Sequence, residues 1–184
     1  VTRSVVARGD PPTTVDTIIE SDIGNRVSEE RDEELDILVA GCGGGGVRIV
    51  SELYRRGSES YRTAIIDTDL DQLNDGVADT RAVLGKHEFD GAGADGDVDA
   101  VREAVQSSGP VIERMVGDPD LVFVVAGLGG GTGTAVAPEV ARMARDLDAV
   151  TVSLATLPFG TETRVVERAR EGLSALDEES HTLA

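Results

Sequence analysis

The residues best placed to do chemistry in this sequence are the glycines and threonines of Ala126-Gly127-Leu128-Gly129-Gly130-Gly131-Thr132-Gly133-Thr134. Glycines carry no side chain to keep a ligand off the main chain, so successive N–H groups can surround a phosphate. Thr132 and Thr134 add hydroxyls that can cap a helix or bind phosphate oxygens and a metal. An apolar run, 121–126, leads into the stretch and an Ala/Val pattern of helical spacing leads out of it. That order is strand, glycine turn, helix, and the helix contributes the positive end of its dipole to an anion. A flexible linker of the same composition would not be wedged between a buried strand and a helix.

The arrangement occurs twice. A short apolar strand over 35–40 is followed by Gly41-Cys42-Gly43-Gly44-Gly45-Gly46. Val47, Ile49, Val50, Leu53 and Tyr54 then recur at helical spacing, with Arg48, Glu52, Arg55 and Arg56 facing out. Taken alone, Gly41, Gly43 and Gly46 fit G-x-G-x-x-G, and Asp67 follows roughly 20 residues later, where a dinucleotide site keeps its acidic residue. A lone match of this kind is weak and leaves an NAD-dependent enzyme open. A third glycine cluster, Gly91-Ala92-Gly93-Ala94-Asp95-Gly96-Asp97, lies between the other two. Three backbone cradles suit a triphosphate better than a pyrophosphate. The motif G-x-x-x-x-G-K-[ST] is absent, and Lys86 follows no such loop, so phosphate charge falls to N–H dipoles, Mg²⁺ and arginine.

The elements that must position these loops alternate. Strands are expected over 35–40, 62–66 (ending in Asp67-Thr68-Asp69), 81–84, 121–126 and 150–157. Helices follow the first and fourth of these and run over 98–116, 134–146 and 162–179, with Gly109-Pro110 kinking or splitting the first of those three. Residues between 85 and 99 read as loop. Alternation implies parallel pairing, right-handed crossovers and a doubly wound, mostly parallel α/β sheet of Rossmann-like form with helices on both faces. Such sheets bind ligands beyond the carboxyl ends of their strands, the edge where all the glycine loops fall.

Composition narrows the partners. The net charge is −18, from 35 Asp and Glu against 17 Lys and Arg, and the chain has three Phe, two Tyr and no Trp. Neither the electrostatic footprint nor the stacking surface for DNA or RNA is present. Acidic residues spread over the whole chain resemble those of proteins from a salt-loaded, halophilic cytoplasm, where surface repulsion is screened within about 3 Å at 1 M salt. The single cysteine, Cys42, allows no intrachain disulfide and reads as a small buried residue at a strand end. No apolar run approaches the ~20 residues of a membrane helix, and a cytoplasmic location is expected. Residues 1–34, with prolines, threonines and the cluster Glu29-Glu30-Arg31-Asp32-Glu33-Glu34, read as an acidic mobile tail whose Ile18-Ile19 could dock on the domain or a partner. Residues 35–184, in a chain 40% hydrophobic, suffice for one domain with a core.

From residue 35 onward the chain resembles the tubulin/FtsZ family of GTP-binding cytoskeletal proteins of cell division, and the FtsZ side more than tubulin. Gly129 to Thr134 matches the family's GGGTGTG motif, with Ala135 in place of the last glycine. Further matches are Gly41-Cys42-Gly43-Gly44, Thr68-Asp69 with Gln72-Leu73, Gly93-Ala94, Val122-Phe123 leading into Ala126-Gly127, Pro138, Leu157-Pro158-Phe159 and Gly172-Leu173. The resemblance implies a GTP/GDP site with Mg²⁺, in which Gly43, Gly44, Gly45 and Gly46 approach the phosphates with Gly127, Gly129, Gly130, Gly131, Thr132, Gly133 and Thr134. It places Gly93 and Ala94 near the γ-phosphate, Thr68 and Asp69 at the same site, and Glu162 at the ribose hydroxyls, with Arg164 as the counterpart of the arginine that follows that glutamate in the family.

Besides Ala135, three positions depart from the family pattern. Arg48 and Asp67 stand where the family has asparagines, and Asp95 stands where it has a glycine beside the γ-phosphate. A carboxylate there repels a triphosphate unless Mg²⁺ or a proton intervenes, so altered affinity is expected. The resemblance also implies a guanine-stacking helix and a loop bearing water-activating acids, neither of which this sequence contains. The expectation is therefore a truncated GTP-binding domain that meets one end of a filament of FtsZ-like subunits, or its own copies, with the acids for hydrolysis coming from another subunit. A nucleotide-free interaction module of FtsZ descent is the remaining alternative beside NAD.

Overall fold

The computed structural model describes residues 18–20 (backbone only), 35–57, 59–160 and 163–184. Its strands are β1 (Ile18–Glu20), β2 (Ile37–Cys42), β3 (Arg62–Asp67), β4 (Thr80–Val83), β5 (Leu121–Gly127), β6 (Val150–Thr156) and β7 (Thr182–Leu183). The helices are α1 (Gly43–Arg56), α2 (Leu70–Asp75), α3 (Lys86–Phe89), α4 (Val98–Ser107), α5 (Gly109–Val116), α6 (Gly131–Asp146) and α7 (Thr163–Glu179).

The strands form one sheet in the order β1-β4-β3-β2-β5-β6-β7, parallel throughout except for the antiparallel edge pair β1/β4. Leaving out β1, that is the doubly wound order in which the chain turns from one half of the sheet to the other between β2 and β5. Ile37 pairs with Leu121 and Cys42 with Ala126, so these strands end level and their following turns start side by side. The central strands are apolar on both faces, as strands buried under two helix layers must be. Ala40, Ala64, Ile66, Val122, Val124 and Ala126 face α4, α5, α6 and α7, whereas Val39, Ile65 and Val125 face α1 and α2. α6 is the middle helix of its layer, and its small residues Ala137, Ala141 and Ala144 are fully buried. The α1 side does not reach across the whole sheet: Val150 is 52% exposed and Leu154 is 40% exposed on β6.

The doubly wound fold expected from alternation is thus observed, with local differences. Helix 98–116 is split, as Gly109-Pro110 requires, with the buried Ser108 hydroxyl donating back to the Ala104 carbonyl at the break. α3 lies in the stretch read as loop; a four-residue turn with no fully buried residue leaves no periodic signal. α1 begins at Gly43 rather than after the glycines, and α6 at Gly131 rather than Thr134, so much of each glycine stretch is the first turn of a helix. Ile18-Ile19, in the segment read as a mobile tail, instead forms part of β1 on the edge of β4; the remaining residues of 1–34 lie outside the described residues.

Candidate functional site

At the carboxyl edge between β2 and β5, the starts of α1 and α6 meet backbone to backbone. A methyl on Gly43 would lie 2.5 Å from the Gly133 amide nitrogen, and one on Gly133 would lie 2.5 Å from the Gly127 carbonyl oxygen and 3.1 Å from that of Cys42. Gly45 has the Gly127 Cα 3.0 Å from the place its own Cβ would take. Side chains at these positions would force the two helix N-termini apart. Gly46, tucked between Gly41 and β5, and Gly131, set 3.2 Å from the Gly96 backbone by the same measure, do similar structural duty. Two dipole ends and their free N–H groups are thereby concentrated at one point of the edge.

Beside this junction opens a cleft of about 470 Å³ lined by Gly44, Gly45 and Arg48 of α1, Asp67-Thr68-Asp69, Gln72, the 92–95 loop and Thr132 of α6. Its walls are tied together. The Thr68 and Thr132 hydroxyls are 2.8 Å apart and buried, joining the end of β3 to the first turn of α6. Asp69 caps α2, its Oδ1 accepting from the Asp71 and Gln72 amides at 2.8 and 3.2 Å. Asp67, only 3% exposed, accepts from the Thr68 and Asp69 amides at 2.7 and 3.2 Å. Its carboxyl is held above the usual range chiefly by burial, against the pull of those amides and the Thr132 hydroxyl. The Leu70 amide donates to the Gly91 carbonyl, which brings the third glycine cluster to the same place.

Of the residues singled out by sequence, Gly44, Gly45, Arg48, Asp67, Thr68, Asp69, Gly93, Ala94 and Thr132 share this cleft. Gly43, Gly46, Gly127, Gly131 and Gly133 stand behind it in the helix junction, and Gly129 takes φ +106° with Val165 and Pro158 close by. The Gly129 amide donates to the Thr134 hydroxyl at 2.9 Å, so Thr134 holds the turn and is buried. Gly130 is exposed, with open space where a side chain would stand. Arg164 lies exposed in the first turn of α7 and does not line the cleft; Glu162 lies outside the described residues. Gln72 also lines the cleft, a position that the family resemblance matches without implying a ligand contact. The signal was present, since Asp69-x-x-Gln72 is the spacing of a capped helix start. Cys42 is free and fully buried, and burial first, with Asp67 second, pushes its thiol far above the ordinary value.

The Thr68/Thr132 bond gives a direct check on this geometry. Thr132→Val should cost about 1–2 kcal/mol by leaving the buried Thr68 hydroxyl unpaired, Thr68→Val should cost less because the Thr132 hydroxyl keeps the Asp67 carboxylate as a partner, and the double variant should lose less than the sum of the two. A double-mutant cycle on thermal unfolding that shows no coupling would mean the two hydroxyls do not meet.

Comparison with known proteins agrees with this architecture. The model of the "Tubulin/FtsZ family, GTPase domain" matches residues 36–184. The chain is 40% identical over 147 residues to cell division protein FtsZ 2 of Halobacterium salinarum, covering 80% of this chain and 37% of that protein. It is 40% identical over 148 residues to FtsZ 1 of Methanocaldococcus jannaschii, covering 80% and 41%. Among solved structures, an empty FtsZ dimer from M. jannaschii superposes with a TM-score of 0.80 at 38% identity, covering 83% of this chain and 45% of that one. CetZ2 from Haloferax volcanii, in a GTPγS-bound protofilament, shares the fold with a TM-score of 0.73 at 22% identity, covering 81% and 48%. The chain therefore spans less than half the length of these relatives. With two glycine-started helices meeting at the β2/β5 turn and a family match over nearly the whole described domain, this chain belongs to the tubulin/FtsZ family.

Proposed function

We propose that residues 35–184 form a GTP- and GDP-binding unit of FtsZ type, with the phosphates seated where α1 and α6 converge. The observation that carries this is the close junction of Gly43 and Gly45 with Gly133 and Gly127, which gathers two helix N-termini beside one cleft. Gly44, Gly45, Gly130 and Thr132 would present amides or a hydroxyl to phosphate oxygens, with Gly93 and Ala94 closing over the terminal phosphate. Gly43, Gly46, Gly127, Gly129, Gly131, Gly133 and Thr134 would act behind them by fixing the two turns. Arg48 would supply positive charge, Glu162 would serve the ribose, and Arg164 would stand in for the family arginine that follows it. Mg²⁺ would enter with the nucleotide, since the described residues contain no cluster of three His, Cys, Asp or Glu able to hold a metal by themselves. The NAD reading is weakened by Asp67, which would have to receive a ribose but is buried under the amides of Thr68 and Asp69.

Hydrolysis would require acids from another subunit, because none of the cleft carboxylates has a water-positioning role that its cap or turn does not already explain. The chain would thus meet one end of an FtsZ-like filament in a salt-rich cytoplasm. No described helix is long and apolar enough to cross a membrane. GTP turnover at molar salt is expected to be negligible for the purified chain and to appear on adding a full-length relative; fast turnover by the chain alone would refute the shared-site reading. In a melting experiment with Mg²⁺, GTP or GDP at about 100 times its Kd should stabilise the chain by about 2.7 kcal/mol, while NAD leaves it unchanged. A nucleotide-free module has one observation in its favour: three carboxylates, Asp67, Asp69 and Asp95, line the cleft opposite Arg48 alone. Absence of protection by any nucleotide would establish that second reading.

A further inference from the structure

We propose that Asp67 links phosphate binding in this cleft to uptake of a proton from solvent, so that nucleotide is held more tightly in mild acid than in alkali. This rests on the nucleotide reading above and adds a regulatory property to it. Asp67 lines the cleft although it is 3% exposed. Its Oδ1 is engaged by the Thr68 and Asp69 amides, while Oδ2 lies 4.0 Å from the place a Cβ on Gly44 would take. It therefore looks onto the same first turn of α1 whose amides are free for a phosphate.

The groups around it do not neutralise it. From α1, Arg48 is exposed, and Asp67 forms no ion pair among the described residues. From β2, Cys42 is a buried thiol kept protonated. From β4, Arg81 turns its guanidinium to the Leu73 carbonyl. Asp69 at the head of α2 and Asp95 in the glycine loop bring further negative charge to the cleft, and α6 contributes the Thr132 hydroxyl, which hydrogen-bonds the carboxylate but carries no charge to cancel it. Burial already disfavours the ionised form of Asp67, and a phosphate arriving at the Gly44 turn disfavours it further. A proton on Oδ2 removes the repulsion and converts an opposing acceptor into a donor toward a phosphate oxygen. By linkage, binding then weakens by up to tenfold for each pH unit of alkalinisation between the values of the free and the loaded site.

The same charge acts on the fold without ligand. An aspartate whose folded value lies above its unfolded one, about 3.9, contributes full stability below that pH and loses it as pH rises through the folded value. Asp67→Asn should therefore melt progressively higher than the parent chain as pH is raised from 4 toward neutrality.

The test is the dissociation constant of GDP with Mg²⁺ for the parent chain and Asp67→Asn between pH 5.5 and 8.5, with calorimetry in two buffers of different ionisation enthalpy. The parent should weaken by up to tenfold per unit and take up protons on binding, and the variant should bind more tightly at pH 8 with a flatter profile. The nucleotide's terminal phosphate, which titrates near about pH 6, is common to both proteins and on amides releases protons rather than taking them up. Equal profiles overturn the proposal and leave the nucleotide site standing; no GDP or GTP binding at any pH overturns both. Should Asp67→Asn fail to fold, proton release or none in the parent chain is sufficient to overturn the linkage.

Discussion

Gly43→Ala is expected to destabilise the domain by about 2–5 kcal/mol, from two sources that act together. Gly43 has φ +70°, a conformation that costs an L-residue roughly 1–2 kcal/mol. Its new methyl would also meet the Gly133 backbone at 2.5 and 2.8 Å, and backbone, unlike the end of a long side chain, cannot swing aside; overpacking of this kind adds about 1–3 kcal/mol. Against a total stability of about 5–15 kcal/mol the loss is large, and a fall in Tm of roughly 10 °C is expected. Gly57→Ala is the control. It also has a positive φ, +74° with ψ 137°, but nothing lies within 4 Å, so only a torsional cost should appear. Melting the variants side by side shows what a torsional cost without a clash amounts to; a Gly43→Ala loss of no more than the roughly 1–2 kcal/mol torsional part would mean that α1 and α6 do not approach as closely as described. The same logic predicts that Gly130→Ala, with nothing within 4 Å of its Cβ position, leaves stability nearly unchanged.

These glycines show where sequence reasoning succeeds and where it runs out. The two glycine stretches were legible as functional because each follows a buried strand and precedes a helical pattern, and the level pairing of Cys42 with Ala126 places them together as a doubly wound sheet demands. What composition could not reveal is the division of labour among them. Read as a string, every glycine could admit a ligand to the main chain. In the fold, Gly43, Gly46, Gly127, Gly131 and Gly133 admit instead another backbone, and only Gly44, Gly45 and Gly93 among the site glycines line the cleft. Sequence patterns record that a side chain is absent and do not say which neighbour excludes it. Gly172 is a similar case: quoted for its family resemblance, it proves to be where α7 rests on Thr134, whose Cγ2 lies 2.6 Å from the position of a Cβ. α2 and α3 escaped because helices of six and four residues bury too little for a period, Leu73 being the one fully buried residue in α2. The carboxylates were visible as departures from the family pattern, but burial of Asp67 beneath two amides depends on how β3 ends, which no spacing encodes.

Gly44→Ala should show the opposite signature from its neighbour. The added methyl would face Gln72, 3.1 Å from the Oε1 of a side chain that can rotate away, and Asp67 Oδ2 at 4.0 Å, so the fold can accommodate it. Gly44 lies in the first turn of a helix, where alanine is favoured over glycine by up to about 1 kcal/mol, and stability should be unchanged or slightly higher. The methyl nevertheless occupies the cleft where the α1 amides would meet a phosphate. Displacing a phosphate from one charge-assisted hydrogen bond costs about 1.5–3 kcal/mol, or roughly 10- to 100-fold in affinity for GTP and GDP alike. The pair of adjacent substitutions thus separates scaffold from site: Gly43→Ala lowers Tm before any ligand is added, and Gly44→Ala lowers affinity in a chain that melts normally. If Gly44→Ala binds GDP as tightly as the parent, the phosphates do not sit against the first turn of α1, and the role proposed for that turn is wrong even though the family assignment stands.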